Sequence, residues 1–532
     1  MRSVTLTRRW TMKNRTCTSK AAHPFVGAVF VCVMICSVNL NAQVPTKFDF
    51  GTGAAAPGYT KVTPTTTYSA SQGYGFEGGT VTAVSRGGSD VLRGDYCTGS
   101  SFNFSVTLPQ GNYMVTLYIG DLAGTSATTV NGEQRRLFID RLGTQSGEVV
   151  TKTFAINRRA YQNGTVTISR KDRELTYVDF DEKLTLDFSG SKPCICGVDI
   201  VPVDTVITLY LGGNSTLVNQ PSGTFCNWGQ MLTRFFTSKV SIANYAESGE
   251  DAGSFISEKR YDMIMSIIKP GDYFFIEFGT NDSKAADRIA AFPGNLKTMC
   301  DGTTAKGGIP VIVTAGARDG DTDSTKSIGG LAETARKTAK SLGVQCADLN
   351  AMVITLEKAL GSNKSSLYVS GDPTHYCTYG GFELARIMTK AFIDAKMNIA
   401  QYLNTDLPHF DLSKPDPLNY LTTSSVGTLQ PEVSVERNQG FNDAGLSVNA
   451  SAHLIHYRSG VTGNATFTVF AMNGKRVAVK TARVERAQET TVWRDLDALP
   501  VGVYFLTMNV GNSFLGNAPF CTAGGKSGAI NR

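Results

Sequence analysis

Histidine is scarce in this chain, with five among 532 residues. Cys194-Ile195-Cys196 is a lone CxC with no histidine cluster beside it, so the sequence offers no zinc pattern. An excess of one charge is also missing. All six basic residues of positions 1–42 (Arg2, Arg8, Arg9, Lys13, Arg15 and Lys20) stand without an acidic neighbour. Taking those six from the 51 Lys and Arg leaves a number equal to the 45 Asp and Glu. A neutral chain gives no electrostatic reason to expect nucleic acid or an anionic membrane as partner. Long apolar runs are absent after Val38. Internal repeats are absent as well.

The first residues read as an export signal. A basic region leads into Phe25–Val38, an apolar stretch of 14 residues. That is too short to span a bilayer as a helix and the right length for a signal core. Cleavage after Ala42 is expected, giving a secreted or cell-surface protein. The alternative is an uncleaved anchor helix. Of eleven cysteines, Cys17, Cys32 and Cys36 leave with the signal. The remaining even number permits disulfides, and Cys226 and Cys377, which flank the candidate site, are one candidate pair.

A chain of this length implies about three domains. Residues 43–203 read as a β-sandwich, from alternating runs such as Phe102–Leu108, Tyr113–Ile119, Thr165–Ser169 and Leu184–Phe188 between glycine-rich turns. Residues 204–402 read as a doubly wound α/β domain on a five-stranded parallel sheet. Its strands are expected at Val206–Leu211, Val240–Tyr245, Asp272–Phe278, Ile309–Thr314 and Val344–Asp348. Its helices are expected at Trp228–Phe236, Ser254–Ile268, Phe292–Cys300, Leu331–Leu342 and Tyr379–Lys396. Residues 403–438, rich in proline and polar residues, read as a linker. A small C-terminal β-sandwich is expected in 439–532.

The stretch Val206–Ser215, VITLYLGGNS, organises the α/β domain. A buried strand runs into Gly212-Gly213, where a sharp turn is expected. Asn214 and Ser215 then sit at the carboxyl edge of the sheet, where open α/β folds carry their chemistry. Three more segments fall at or near later strand ends: Asn244–Gly249 (NYAESG), Phe278–Asp282 (FGTND) and Asp372–His375 (DPTH).

These ordered blocks resemble the SGNH, or GDSL-type, hydrolases. YLGGNSTLV, TFCNWGQML, GDYFFIEFGTNDSK and DPTHYCTYGG resemble the rhamnogalacturonan acetylesterase group in particular. The opening FDFGTG with GYGFEGG resembles the galactose-binding-like sandwich of some bacterial pectin acetylesterases. Tyr59, Tyr74 and Phe76 are there either sugar platforms or core aromatics, and core is the expected role. TFTVFAMNGKRV with LPVGVYFLTM resembles C-terminal sorting or accessory domains of secreted bacterial hydrolases, which implies secretion machinery as a partner.

The chemistry follows from the residue types. Serine needs a base to become a nucleophile, and histidine has the suitable pKa. His23 lies in the signal, His409 in the linker, and His453 and His456 in the final domain, so His375 is the base left in the α/β domain. Asp372, three residues earlier, can orient its imidazole. Ser215 N–H, Gly249 N–H and the Asn281 amide are the candidate oxyanion donors. Arg318 and Trp228 are candidate substrate contacts. No metal or cofactor is required. Asp319, Asp321 and Asp323 in DGDTD lack the glutamate and spacing of an EF-hand calcium loop.

Three positions depart from the group's pattern: Asn214 for aspartate, Glu250-Asp251-Ala252 for Arg-Ser-Ser, and Thr280 for histidine. The second places two acids beside the site and weighs against a strongly anionic galacturonan. The reading is a monomeric carbohydrate O-acetylesterase acting on acetylated plant polysaccharide, pectic backbone first and xylan second. The alternatives are a polysaccharide-binding protein with an inactive esterase domain, and a lipid esterase or thioesterase on the same fold.

Overall fold

The computed structural model describes residues 46–221 and 224–421, and beyond these only strands between 445 and 522. The expected export signal, the second half of the expected linker and residues 523–532 lie outside the described residues. From Lys47 to Pro202 the chain builds a seven-stranded and a five-stranded sheet. Their inward faces share one core, Phe48, Phe50, Val115 and Ile200 against Phe102, Phe104, Leu186 and Phe188. Phe50 meets Phe104 edge-on at 4.8 Å between ring centroids, the geometry that aromatic quadrupoles favour. Phe76 is buried in this core, and Tyr74 packs on Phe48. Tyr59 is half-buried, with Lys47 Nζ 5.4 Å from its ring.

Five parallel strands follow: β1 (Ile207–Gly213), β2 (Val240–Asn244), β3 (Tyr273–Phe278), β4 (Ile309–Thr314) and β5 (Gln345–Ala347). Their order across the sheet is β2-β1-β3-β4-β5. The order reverses at β1, so Ser215 leaves the sheet at its switch point, where a crevice opens. Leu209, Leu211 and Phe275 pack into one face, against helices Leu349–Leu360 and Thr378–Asp394. Tyr210, Phe274 and Ile276 pack into the other, against Ala286–Ala305 and Leu331–Leu342. Alternate side chains of each strand are therefore buried on both faces.

Several elements differ from expectation. The Gly212-Gly213 turn is instead the end of a strand, and neither glycine has positive φ. A Cβ on Gly213 would lie 2.8 Å from Glu277 O, so close packing of β1 on β3 is what excludes a side chain. Helix Ser254–Ile268 is broken at Lys259, whose φ is 69°. Helix Leu349–Leu360, not expected from sequence, starts where Asp348 Oδ1 accepts the Ala351 N–H at 3.3 Å. All seven cysteines whose side chains are described carry free thiols, Cys226 and Cys377 included, so that candidate pair is not formed.

The sandwich and the α/β layers share buried polar contacts. The segment 133–137 enters the loop that follows Ser215. Arg135 Nη1 donates to Gln220 O (3.3 Å) and Phe225 O (3.2 Å). Arg136 donates to Ile242 O at 2.7 Å, and Gln230 Nε2 donates to Gln134 O at 3.0 Å. Arg135 and Arg136 are almost fully buried, so each lost partner costs ~1–3 kcal/mol or more.

Residues 403–421 are not a free connector. Phe410 and Leu421 are buried in the same core as Trp228. Arg386 Nη1 pairs with Asp416 at 2.5 Å, and Tyr379 Oη donates to Asp416 O at 2.7 Å. The strands from Gly445 to Thr522 form a three-stranded and a four-stranded antiparallel sheet. No helix among the described residues is long and apolar enough to cross a membrane.

Burial of one large apolar side chain stabilises by ~1.5–3 kcal/mol. A chain ending at Leu421 should therefore hold its melting temperature for the α/β unit, measured by circular dichroism. One ending at Tyr402 should lose roughly 5–10 °C.

Candidate active site

Ser215 is half-buried at the end of β1. The loop behind it is anchored by Asn214. The Asn214 carbonyl accepts the N–H groups of Leu217 and Val218, each at 3.0 Å. Asn214 Oδ1 accepts the Thr216 N–H at 3.0 Å. An acceptor at this position is what the loop requires, and asparagine supplies it without a buried charge.

Beneath the loop lies Glu277, fully buried in β3. The Thr216 hydroxyl is 2.8 Å from Asn214 Oδ1 and 2.8 Å from Glu277 Oε1. A hydroxyl has one proton, and Asn214 Oδ1 can only accept. A protonated Glu277 donates to Thr216 and frees the Thr216 proton for Asn214, whereas an ionised Glu277 accepts that proton itself. Burial pushes the Glu277 carboxyl up to about 7, against the opposing hydrogen bonds of Trp228 and Thr216. Trp228 Nε1 donates to Glu277 Oε2 at 2.5 Å. Trp228 has no exposed surface, so it supports β3 from inside and does not touch substrate, contrary to the sequence reading.

His375 enters from the loop before helix Thr378–Asp394. Its Nε2 is 2.8 Å from Ser215 Oγ, and its Nδ1 is 2.7 Å from Asp372 Oδ2. Asp372 Oδ1 accepts the N–H groups of Thr374 (2.8 Å) and His375 (3.1 Å). Burial alone would raise the Asp372 carboxyl. The Thr374 N–H, the imidazole and the His375 N–H outweigh it and hold the carboxyl below its usual range. An ionised Asp372 accepts a hydrogen bond from Nδ1–H, which fixes the tautomer and leaves Nε2 free to accept the serine proton. The ring of Phe225 stands edge-on to the imidazole, 5.7 Å between centroids.

The oxyanion candidates lie at three neighbouring strand ends. Among the described residues, the N–H groups of Ser215 and Gly249 have no hydrogen-bond partner. Asn281 Nδ2 spends one proton on Glu250 O at 2.8 Å and keeps the other. Unpaired donors beside a nucleophile suit a developing oxyanion.

The two acids that weighed against an anionic substrate are otherwise engaged. Glu250 is fully buried, pairs with Lys171, and accepts from Ser254 Oγ at 2.6 Å. Asp251 caps the helix Ala252–Ser257 by accepting the N–H groups of Gly253 and Ser254. Arg318 is half-buried on a loop that reaches the acid–base segment, where Asp319 N–H donates to Pro373 O at 2.8 Å. Asp319, Asp321 and Asp323 turn to Lys364, Ser327 and Thr325 respectively. A cleft of about 600 Å³ adjoins Asp372, lined by Ser365, Ser366, Ser370 and Asp319 among others.

Residues 197–375 match the model of the GDSL-like Lipase/Acylhydrolase family. That match spans Ser215, Gly249, Asn281, Asp372 and His375, and the protein is a carboxylic-ester hydrolase. Residues 46–167 match a second family, Beta-agarase/YXIM esterase-like, galactose-binding domain-like. The uncharacterized esterase YxiM of Bacillus subtilis is 29% identical over 386 residues, 68% of this chain and 96% of that protein. The rhamnogalacturonan acetylesterase RhgT of the same organism is 28% identical over 218 residues, 37% of this chain and 94% of its own. The solved structure of Bacillus subtilis YxiM covers 66% of this chain and 99% of its own at 25% identity, with a TM-score of 0.37.

Sequence reading missed Glu277, although a glutamate inside the apolar run YFFIEF was a usable signal. A buried acid with a raised pKa contributes stability that is present below its unfolded value, 4.5, and lost as pH rises through its folded value of about 7. Glu277→Gln keeps the donor and removes the titration. The melting temperature of wild type should therefore fall relative to Glu277→Gln between about pH 4.5 and 7. Parallel melting curves would contradict a neutral Glu277.

Proposed function

We propose that this hydrolase is an exported carbohydrate O-acetylesterase that works through an acetyl-serine. The observation that carries the reading is the unbroken chain Ser215–His375–Asp372, with links of 2.8 and 2.7 Å. Ser215 Oγ attacks the acetyl carbonyl and passes its proton to His375 Nε2. The oxyanion forms against the N–H groups of Ser215 and Gly249 and the free Asn281 proton. His375 then gives its proton to the departing sugar oxygen, leaving acetyl-Ser215. Water, deprotonated by the same imidazole, releases acetate and restores the serine.

Acetylated pectic backbone is the first substrate and acetylated xylan the second. Similarity to a rhamnogalacturonan acetylesterase supports the first. So does the pairing of Glu250 with Lys171, which neutralises the acid beside the site. Ser365, Ser366, Ser370 and Asp319 on the cleft next to Asp372 offer hydrogen-bond partners for sugar hydroxyls. The basic region and apolar run before Ala42 support export, and the C-terminal sheets are assigned to sorting or retention.

Ser215→Ala or His375→Ala should lower acetate release by ~10⁴-fold or more. Acetate should come fastest from acetylated pectin in a panel that includes acetylated xylan, a lipid ester and 4-nitrophenyl acetate. Activity within tenfold of wild type for Ser215→Ala, or release from the lipid ester alone, would overturn the reading.

A further inference from the structure

The residues Glu247–Glu250 form a β-turn, closed by the Glu250 N–H donating to Glu247 O at 3.2 Å. Gly249 is the third residue of that turn and has a φ of +86°. That value belongs to a type II turn, whose third position requires glycine. The central peptide of the turn joins Ser248 to Gly249. In the alternative type I turn the same peptide is flipped, and its N–H points the opposite way. Glycine makes both forms accessible, so something outside the turn must select one.

Two cations from the segment before the sandwich's Lys183–Lys192 strand do so. Lys171 Nζ donates to the Ser248 carbonyl at 3.0 Å. Arg173 Nη2 donates to the same oxygen, and its Nε donates to Glu247 Oε1 at 2.6 Å. Lys171 is anchored in turn by the buried Glu250 carboxylate. A peptide group is planar and trans, so holding its oxygen fixes the direction of its N–H. Charge-assisted hydrogen bonds on the carbonyl also polarise that N–H.

We propose that Lys171 and Arg173 are positioning residues of the oxyanion hole, which hold the Ser248–Gly249 peptide so that the Gly249 N–H meets the reacting carbonyl. The proposal rests on the acetyl-serine reading above. It makes the sandwich domain a working part of the catalytic centre. Both cations are 70 or more residues from the turn they hold (77 for Lys171 and 75 for Arg173 to Ser248).

The test uses the full-length protein and 4-nitrophenyl acetate, a small neutral ester with no carboxylate for a cation to recognise. Arg173→Met should lower kcat about tenfold, and Lys171→Met with Arg173→Met further, toward the ~10²–10³ expected for loss of one donor. KM should stay within about twofold. Affinity for phenylboronic acid, which forms a tetrahedral adduct on serine, should fall by the same factor as kcat/KM. Arg173→Lys, which keeps a donor, should recover most of the loss. If the double variant does not fold, Arg173→Met in a Glu247→Gln background leaves no unpaired buried charge and decides the question by the same ratios. A folded variant with kcat and boronate affinity within twofold of its parent overturns the proposal. So does a loss confined to KM on acetylated pectin, which would make the cations substrate contacts. Ser215→Ala in the same assay separates the two levels: an active Ser215→Ala overturns the acetyl-serine reading itself.

Discussion

One hydrogen bond sets the demands on the rest of the molecule. Ser215 Oγ and His375 Nε2 meet at 2.8 Å, although 160 residues separate them in the chain. Serine and imidazole held at that distance transfer a proton, and a displacement of an ångström forfeits much of the rate. Each partner is therefore fixed from behind. Ser215 stands on the Asn214 turn, which rests on Thr216 and the buried Glu277. His375 stands on Asp372, whose second oxygen is held by two backbone N–H groups.

The same demand explains why the two domains interpenetrate. Parallel strands place the strand ends side by side, but the loops beyond them carry backbone groups that strands cannot satisfy. Arg135 and Gln134 reach from the sandwich to the loop after Ser215, and Lys171 and Arg173 reach to the loop after β2. The buried Arg135 guanidinium is met by backbone carbonyls, and the part-exposed Lys171 and Arg173 meet the buried Glu250 and Glu247.

The strands and the candidate site residues Ser215, Asp372 and His375 were legible because their signals are local. Apolar runs such as YFFIEF and ITLYLGG mark strands by composition, and His375 is singled out by the absence of other histidines nearby. What was not legible depends on contacts distant in sequence. Trp228 reads as a substrate contact until Glu277 is seen to hold its indole N–H from within. Glu250 reads as a repulsive acid until Lys171 is placed beside it. Residues 403–421 read as a linker because proline and polar residues dominate, while Phe410 and Leu421 are their only fully buried apolar side chains and Leu407, Leu412 and Tyr420 pack beside them. The helix Leu349–Leu360 was missed because a very short strand, Gln345–Ala347, runs into it through a single capping residue.

The central claim is that Ser215 becomes acetylated during turnover. Rapid acid quenching of the enzyme mixed with 4-nitrophenyl acetate, followed by peptide mass spectrometry, tests it most directly. A covalent mechanism through Ser215 predicts one acetyl group on the peptide that contains Ser215, formed before steady state and lost once substrate is exhausted. Quenched enzyme that turns over substrate yet carries the acetyl group on another residue, or carries none while product forms in a burst, would contradict it.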